Sequence, residues 1–187
     1  PRLYRLFNRG NFSDFDFNMG GRLYCGSDDN WQTKLKGERR LITINGLPTV
    51  ELDVRASHLS ILHALNGATL DAEGDPYEIP GIERDVVKGI FAAACGMGKM
   101  PRRWPVEFSE KYAKSTGKKP SEVYVLKDVV AALEARHPIL NSLKPGELDW
   151  ARLQFEESEC FMAAMLELAR LFDVATLPIH DSIVVAA

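Results

Sequence analysis

Thr49-Val50-Glu51-Leu52-Asp53-Val54-Arg55-Ala56-Ser57-His58-Leu59-Ser60-Ile61-Leu62-His63-Ala64-Leu65 changes character in its middle. Its first residues are β-prone and read as a short buried strand; from about Ala56 the apolar positions Leu59, Leu62 and Leu65 follow helical spacing. Asp53 stands at the switch, so its carboxylate is expected at the carboxyl end of a strand, where open α/β sheets tend to place ligands. A second stretch, Leu177-Pro178-Ile179-His180-Asp181-Ser182-Ile183-Val184-Val185, sets Asp181 in a polar break between two apolar runs and predicts two strands joined there. If that hairpin lies beside strand 49–53, Asp53 and Asp181 approach each other at one sheet edge.

Working outward, residues 40–44 form a β-prone partner for 49–53, and the intervening Asn45-Gly46 is a hairpin turn signal. Residues 1–38 mix aromatics with turn formers and predict an irregular layer with one short strand near 22–25. The helix from Ala56 ends near Asn66-Gly67, and 70–81 is a loop rich in Asp, Gly and Pro. Helices are predicted over 82–95, with Ile82, Val86, Ile90 and Ala93 as its apolar row, and over 106–115. A third runs from an N-cap at Ser121 to about 136, with Val125, Val129 and Leu133 in a row. The longest, 153–172, turns Phe161, Met165, Leu168 and Phe172 inward and Glu156, Glu157 and Glu159 to solvent. The fold class is therefore α+β, a small antiparallel sheet covered on one face by helices.

The chain has 187 residues, 45% hydrophobic and 26% charged, enough for one well-filled domain or one domain with a small appendage. No run approaches the roughly 20 apolar residues of a membrane span. Cys25, Cys95 and Cys160 are widely spaced and form no CxxC pattern, which predicts reduced thiols and a cytoplasmic setting. A net charge of −3 argues against a surface basic throughout, yet cations cluster locally: Lys34, Lys36, Arg39 and Arg40; Lys99, Arg102 and Arg103; Lys111, Lys114, Lys118 and Lys119. Such clusters are either solvated faces or a local channel that attracts phosphates.

Two carboxylates held close share a proton, a salt partner or a cation. Magnesium accepts one or two protein carboxylates and completes its shell with water and phosphate oxygens. Two such ions support phosphoryl transfer. Arg84 and Lys88 lie four residues apart on one helix face and could neutralise a triphosphate. The alternative for these residues is structural: a helix cap, a turn residue and two solvated cations. His58 and His63 are five apart and lack the spacing of a zinc hydrolase, and His63 is expected to be structural. Trp31, Trp104 and Trp150 offer stacking faces for bases or plain packing.

The order of these segments resembles that of the family A DNA polymerases and the related phage-type and mitochondrial single-subunit RNA polymerases. Gly21-Arg22-Leu23-Tyr24 followed by Asn30-Trp31-Gln32 is similar to the segment preceding the first catalytic Asp in bacterial DNA polymerase I. Residues 53–59 resemble motif A, Arg84 to Met97 motif B on the fingers helix, and His180-Asp181-Ser182 motif C. The resemblance implies a palm-like sheet with a reduced fingers-like helical region: an irregular layer over 1–38, a first palm segment over 39–66, fingers over 67–150, and a long helix with the motif C hairpin over 151–187. It implies Asp53 and Asp181 as ligands of magnesium, with manganese as the alternative ion. It also implies Arg84, Lys88 and His58 at the nucleoside triphosphate, with Lys88 assisting the leaving group. Arg22, Gln32, Lys34, Arg40 and His180 become candidate contacts to primer–template nucleic acid. Two departures stand out: His58 replaces the Glu or Gly of the family, and Gly96-Met97 or Cys95-Gly96 replaces the Tyr-Gly that ends motif B. The short stretch before Arg22 implies that a further domain or protein supplies a thumb. The rival functions are an inactive polymerase-like nucleic-acid-binding module, a metal-dependent phosphohydrolase using the same two Asp residues, and an interaction domain of a larger mobile-element protein.

Overall fold

The computed structural model describes residues 2–71 and 73–187 and is α+β, with small antiparallel sheets and, among the described residues, seven α-helices. The chain divides into two compact units, residues 1–61 with 151–187, and residues 62–150. No helix among the described residues is long and apolar enough to cross a membrane.

In the first unit, β1 (Leu3–Phe7) pairs antiparallel with β2 (Gly20–Cys25), Leu3 opposite Cys25 and Phe7 opposite Gly20. The single strand expected in this layer is thus one half of a ribbon. Its partner escaped the sequence reading because β1 is exposed or half-buried along its whole length and shows no alternation of apolar and polar residues. Arg5 ties the ribbon to the long helix α7 (Trp150–Phe172): its Nη2 lies 2.5 Å from Glu159 Oε1 while its Nε donates to the Gly21 carbonyl.

A four-stranded antiparallel sheet has the order β3-β4-β6-β5, built from β3 (Thr43–Ile44), β4 (Leu47–Asp53), β5 (Thr176–Ile179) and β6 (Ser182–Ala186). Asn45 and Gly46, at φ +53° and +79°, make the predicted tight turn between β3 and β4. Both central residues of a type I′ turn need positive φ, which explains the Asn-Gly pair. The short α1 (Lys36–Arg39) precedes this sheet. The helix α2 (Ser57–Leu65) follows β4, and Leu59 within it is completely buried.

The buried stripe of α7 is confined to its beginning, at Ala151, Leu153, Glu157 and Ser158. Two expectations are corrected. Glu157, expected in solvent, is 1% exposed, and Phe172, expected inward, is 69% exposed. Length accounts for the second: the 23 residues make a helix about 35 Å long, and its buried positions end at Ser158, so its last turns, with Phe172, run on beyond the part that is packed.

The second unit is helical: α3 (Arg84–Met97), α4 (Val106–Thr116), α5 (Pro120–Val123), α6 (Leu126–Arg136) and a 3-10 turn over Pro138–Ser142. Val86, Val87, Ile90, Phe91 and Ala94 of α3 are buried. Gly98 ends α3 at φ +64°, its N–H returned to the Ala94 and Cys95 carbonyls. A side chain there would collide with the Pro145 backbone at 2.6 Å, so both conformation and space demand glycine. The single helix expected from Ser121 to 136 is instead two. Pro120 occupies the first helical position of α5, for which its fixed φ is suited, and Tyr124 is extended at φ −128°, ψ 144°. Val123, Tyr124 and Val125 are residues whose χ1 freedom is curtailed in a helix, which favours the break. The Tyr124 hydroxyl then accepts the Glu83 N–H, an orphan donor at the start of α3.

Candidate active site

The β4–β6 register pairs Asp53 with Ser182, so the last residue of β4 lies directly across from the residue after Asp181. Asp181 itself sits in the two-residue β5–β6 turn, His180-Asp181, closed by the Ile179–Ser182 pair. Both carboxylates are exposed and stand at the same end of the sheet.

Two non-glycine residues flanking these carboxylates adopt left-handed φ: Ala56 at +49°, between Asp53 and α2, and His180 at +46°, beside Asp181. The left-handed region costs an L-residue about 1–2 kcal/mol. Ala56 is held there because its carbonyl accepts the Ser60 N–H and so opens α2. The exposed His180 ring stands 5.7 Å from Tyr24 of β2.

Around the first turn of α2, which follows Asp53, the structure gathers residues that the sequence did not connect. Glu157 accepts hydrogen bonds from Arg22 Nε at 3.0 Å, from Arg22 Nη2, and from Ser57 Oγ at 2.5 Å. A buried carboxylate must be paired and hydrogen-bonded, and these three donors meet that need. His58 Nε2 lies 3.7 Å from the same carboxylate and makes no hydrogen bond. Burial pushes the His58 imidazole below its ordinary value; Arg22 adds to the lowering, while Glu157 and Asp181 oppose it. Glu157 was legible only through its phase: it follows Leu153 by four residues, on the same helix stripe.

A second support fixes the neighbouring strand positions. Arg39 grips Glu51 with two hydrogen bonds of 3.1 and 2.9 Å, and Ser182 Oγ donates to the same carboxylate at 3.0 Å. Gln32 donates to the Leu23 and Pro178 carbonyls and accepts the Cys25 N–H, while Trp31 Nε1 also donates to Pro178. Arg22 and Gln32, expected at nucleic acid, thus have these internal partners. Lys34 pairs with Asp29 at 2.5 Å on the surface, and Arg40 is exposed.

In the second unit, Arg84 and Lys88 are exposed one turn apart on α3. Arg84 pairs with Asp75, and both cations lie over the Tyr77 ring, at 5.7 and 5.6 Å from its centroid. Tyr77 is buried against Phe91, and burial pushes its phenol well above the ordinary range, so it is a neutral ring at working pH. No spacing signal links Tyr77 to α3, because it reaches the helix from the preceding loop. His63 meets His137 edge-on at 6.3 Å, and the buried His137 Nε2 donates to the Pro76 carbonyl at 2.7 Å. Cys25 and Cys95 are buried and Cys160 is exposed; burial pushes the Cys95 thiol up to about 12, which removes it from thiolate chemistry.

The donor set of Asp53 and Asp181 is oxygen only. Two exposed carboxylates, one ending β4 and one in the β5–β6 turn beside its cross-strand partner Ser182, suit a hard divalent cation that fills its remaining positions with water and phosphate. Among the described residues no group of three or more His, Cys, Asp and Glu gathers. No family model, curated protein or solved structure matches the chain.

Proposed function

We propose that the protein is a magnesium-dependent nucleotidyltransferase that extends a primer on a nucleic-acid template, with a palm-like sheet carrying Asp53 and Asp181. The observation that supports this reading best is the β4–β6 register, which brings two sequence-distant carboxylates to one end of an antiparallel sheet, both exposed to a ligand. Bound magnesium, or manganese in its place, would supply charge neutralisation at the reacting phosphate and lower the cost of forming the attacking oxyanion.

The chain's own residues have distinct tasks in this reading. Asp53 and Asp181 hold the cation. The primer 3′-hydroxyl attacks the α-phosphate of a nucleoside triphosphate, a new phosphodiester bond forms, and pyrophosphate leaves. Arg84 and Lys88 bind the β- and γ-phosphates; Lys88 is the candidate donor of a proton to the departing pyrophosphate. Tyr77 lies under both cations and attracts each through its ring face. His58, uncharged and carried by the first turn of α2, faces the sugar of the nucleotide. His180 and Arg40 are exposed contacts for the nucleic-acid backbone, which fix register without reading sequence.

The test is primer extension with magnesium or manganese, comparing the parent chain with Asp53→Ala and Asp181→Ala. Each variant should retain its circular dichroism, because both residues are exposed, yet lose activity by roughly 100-fold or more, the equivalent of several kcal/mol of lost charge stabilisation. Extension at parental rate by either variant would remove the mechanism. Primer–template binding without extension by the parent would favour the inactive-module reading, and release of nucleotide products without primer would favour the phosphohydrolase.

A further inference from the structure

The second unit carries a groove that the proposed chemistry does not use. It has a volume of about 1010 Å³ and runs along α3, the segment after it and α4. That volume is at the upper end of what small-molecule sites occupy, about 300–1,000 Å³. Its α3 wall is made of small residues, Gly89, Ala92, Ala93 and Gly96, whose spacing puts them on one helix face. The opposite wall carries Trp104 and Phe108, ring centroids 6.1 Å apart and planes inclined by 21°, with both side chains half-buried. Gly89 is the reason the second ring fits: a Cβ there would sit 2.3 Å from Phe108.

Four exposed cations line the same groove: Lys99, Arg102, Arg103 and Lys111. None makes an ion pair among the described residues, and Glu107 is the one acid in the lining. Lys99 and Arg102 also form a wall of a second cavity of about 550 Å³, where Lys127 adds a fifth cation. The segment 99–102 therefore separates two basic cavities, and the cations continue from one to the other.

We propose that this groove binds single-stranded nucleic acid, with a base laid against Trp104 and successive phosphates held along Lys111, Arg103, Arg102 and Lys99. Unpaired cations around an apolar floor match a polyanion bearing flat apolar rings. An aromatic face accepts any base, and a line of cations tracks a backbone of regularly spaced phosphates. The choice of nucleic acid as ligand rests on the polymerase reading, but binding at the groove does not depend on catalysis by Asp53 and Asp181.

The experiment is a fluorescence-anisotropy titration of the whole chain with a labelled single-stranded 12-mer, repeated across a series of salt concentrations. Engagement of four phosphates gives a slope of log affinity against log salt of about −3, since each contact on a single strand contributes about −0.7. The double variant Arg102→Ala/Arg103→Ala should reduce the steepness by about 1.4 and weaken binding about tenfold or more at low salt. Trp104→Ala should weaken binding roughly 5- to 100-fold while leaving the salt slope unchanged. The arginines are exposed, so their removal leaves the fold intact; circular dichroism checks each variant.

Parental affinity in both variants would overturn the proposal. Competition by polyglutamate as effective as that by the oligonucleotide would assign the groove to an acidic protein, and equal competition by a nucleoside triphosphate would assign it to a mononucleotide; either overturns it. The Asp181→Ala chain should bind the 12-mer like the parent. Failure of extension alone therefore leaves the groove standing, and unchanged binding in the groove variants sinks the groove while leaving extension untouched.

Discussion

The arginine network of the first unit and the groove of the second use positive charge in opposite ways. In the first, Arg22, Arg39 and Arg5 are each locked to a carboxylate, on Glu157, Glu51 and Glu159 respectively, and the bonds of Arg22 and Arg5 connect elements far apart in sequence. In the second, Lys99, Arg102, Arg103 and Lys111 line one groove without an ion pair among the described residues. Arginine's planar fork makes it the better residue for the first task, and both cation types serve the second. A cation's meaning therefore lies in what faces it. Internal pairing fixes the frame beneath Asp53 and Asp181, while unpaired cations leave charge available for a ligand.

The sharpest way to break this contrast is to remove the centre of the paired network. Glu157→Ala leaves Arg22 without its carboxylate and Ser57 without its acceptor, and should destabilise the protein by about 3–5 kcal/mol in urea unfolding, the cost of orphaning one member of a buried ion pair. A loss under 1 kcal/mol would mean that the cluster is solvated and does not hold the frame.

A smaller effect tests the groove wall of the second unit. Gly89→Ala adds helix propensity of about 1 kcal/mol. It also drives a methyl group into Phe108, and overpacking of that kind costs about 1–3 kcal/mol. Gly96→Ala meets nothing within 4 Å and is the control. Gly96→Ala should raise the melting temperature and Gly89→Ala should lower it; a rise in both would show that Phe108 moves aside freely.

The smallest expected effect is on pH dependence, and it separates the units because each has one depressed histidine, His58 and His137. Burial is the main cause for both. A histidine whose folded value lies below its unfolded value takes up its proton more readily when unfolded. Its stabilising contribution is complete above about pH 6.5 and is lost as pH falls below that value. Stability should therefore decline between pH 7.5 and 5.5. His58→Gln should flatten part of that decline and leave the part due to His137; an unchanged profile would mean that His58 is not buried in solution.

The parts of the fold that were legible in the sequence are those set by local rules. Asn45-Gly46 announced its turn through positive φ, α3 announced itself through Val86, Ile90 and its neighbours, and the switch at Asp53 followed from a change of period. The same rules located Asp53 and Asp181, because each stands where an apolar pattern breaks. The rest of the site depends on contacts between distant segments. Glu157 meets Arg22 across 135 residues and Ser57 across 100, so its apparent role as one of three helix-surface acids was wrong. Tyr77 reaches Arg84 and Lys88 from an irregular loop that carries no periodic signal. The break at Tyr124–Val125 was hidden because Val125, Val129 and Leu133 keep helical spacing although Val125 is 64% exposed.

The left-handed φ of His180 has a consequence for anyone engineering this protein. Glycine would occupy that turn without strain, and Ala56 invites the same replacement. A selection for thermal stability alone would act on these two residues beside the carboxylates as it would on Arg9, Phe17, Asn45 and Asp173, which share the left-handed φ, and a library ranked by melting temperature would enrich variants stripped of the imidazole that faces Tyr24. Stabilised forms of this chain should therefore be sought with positions 56 and 180 held constant.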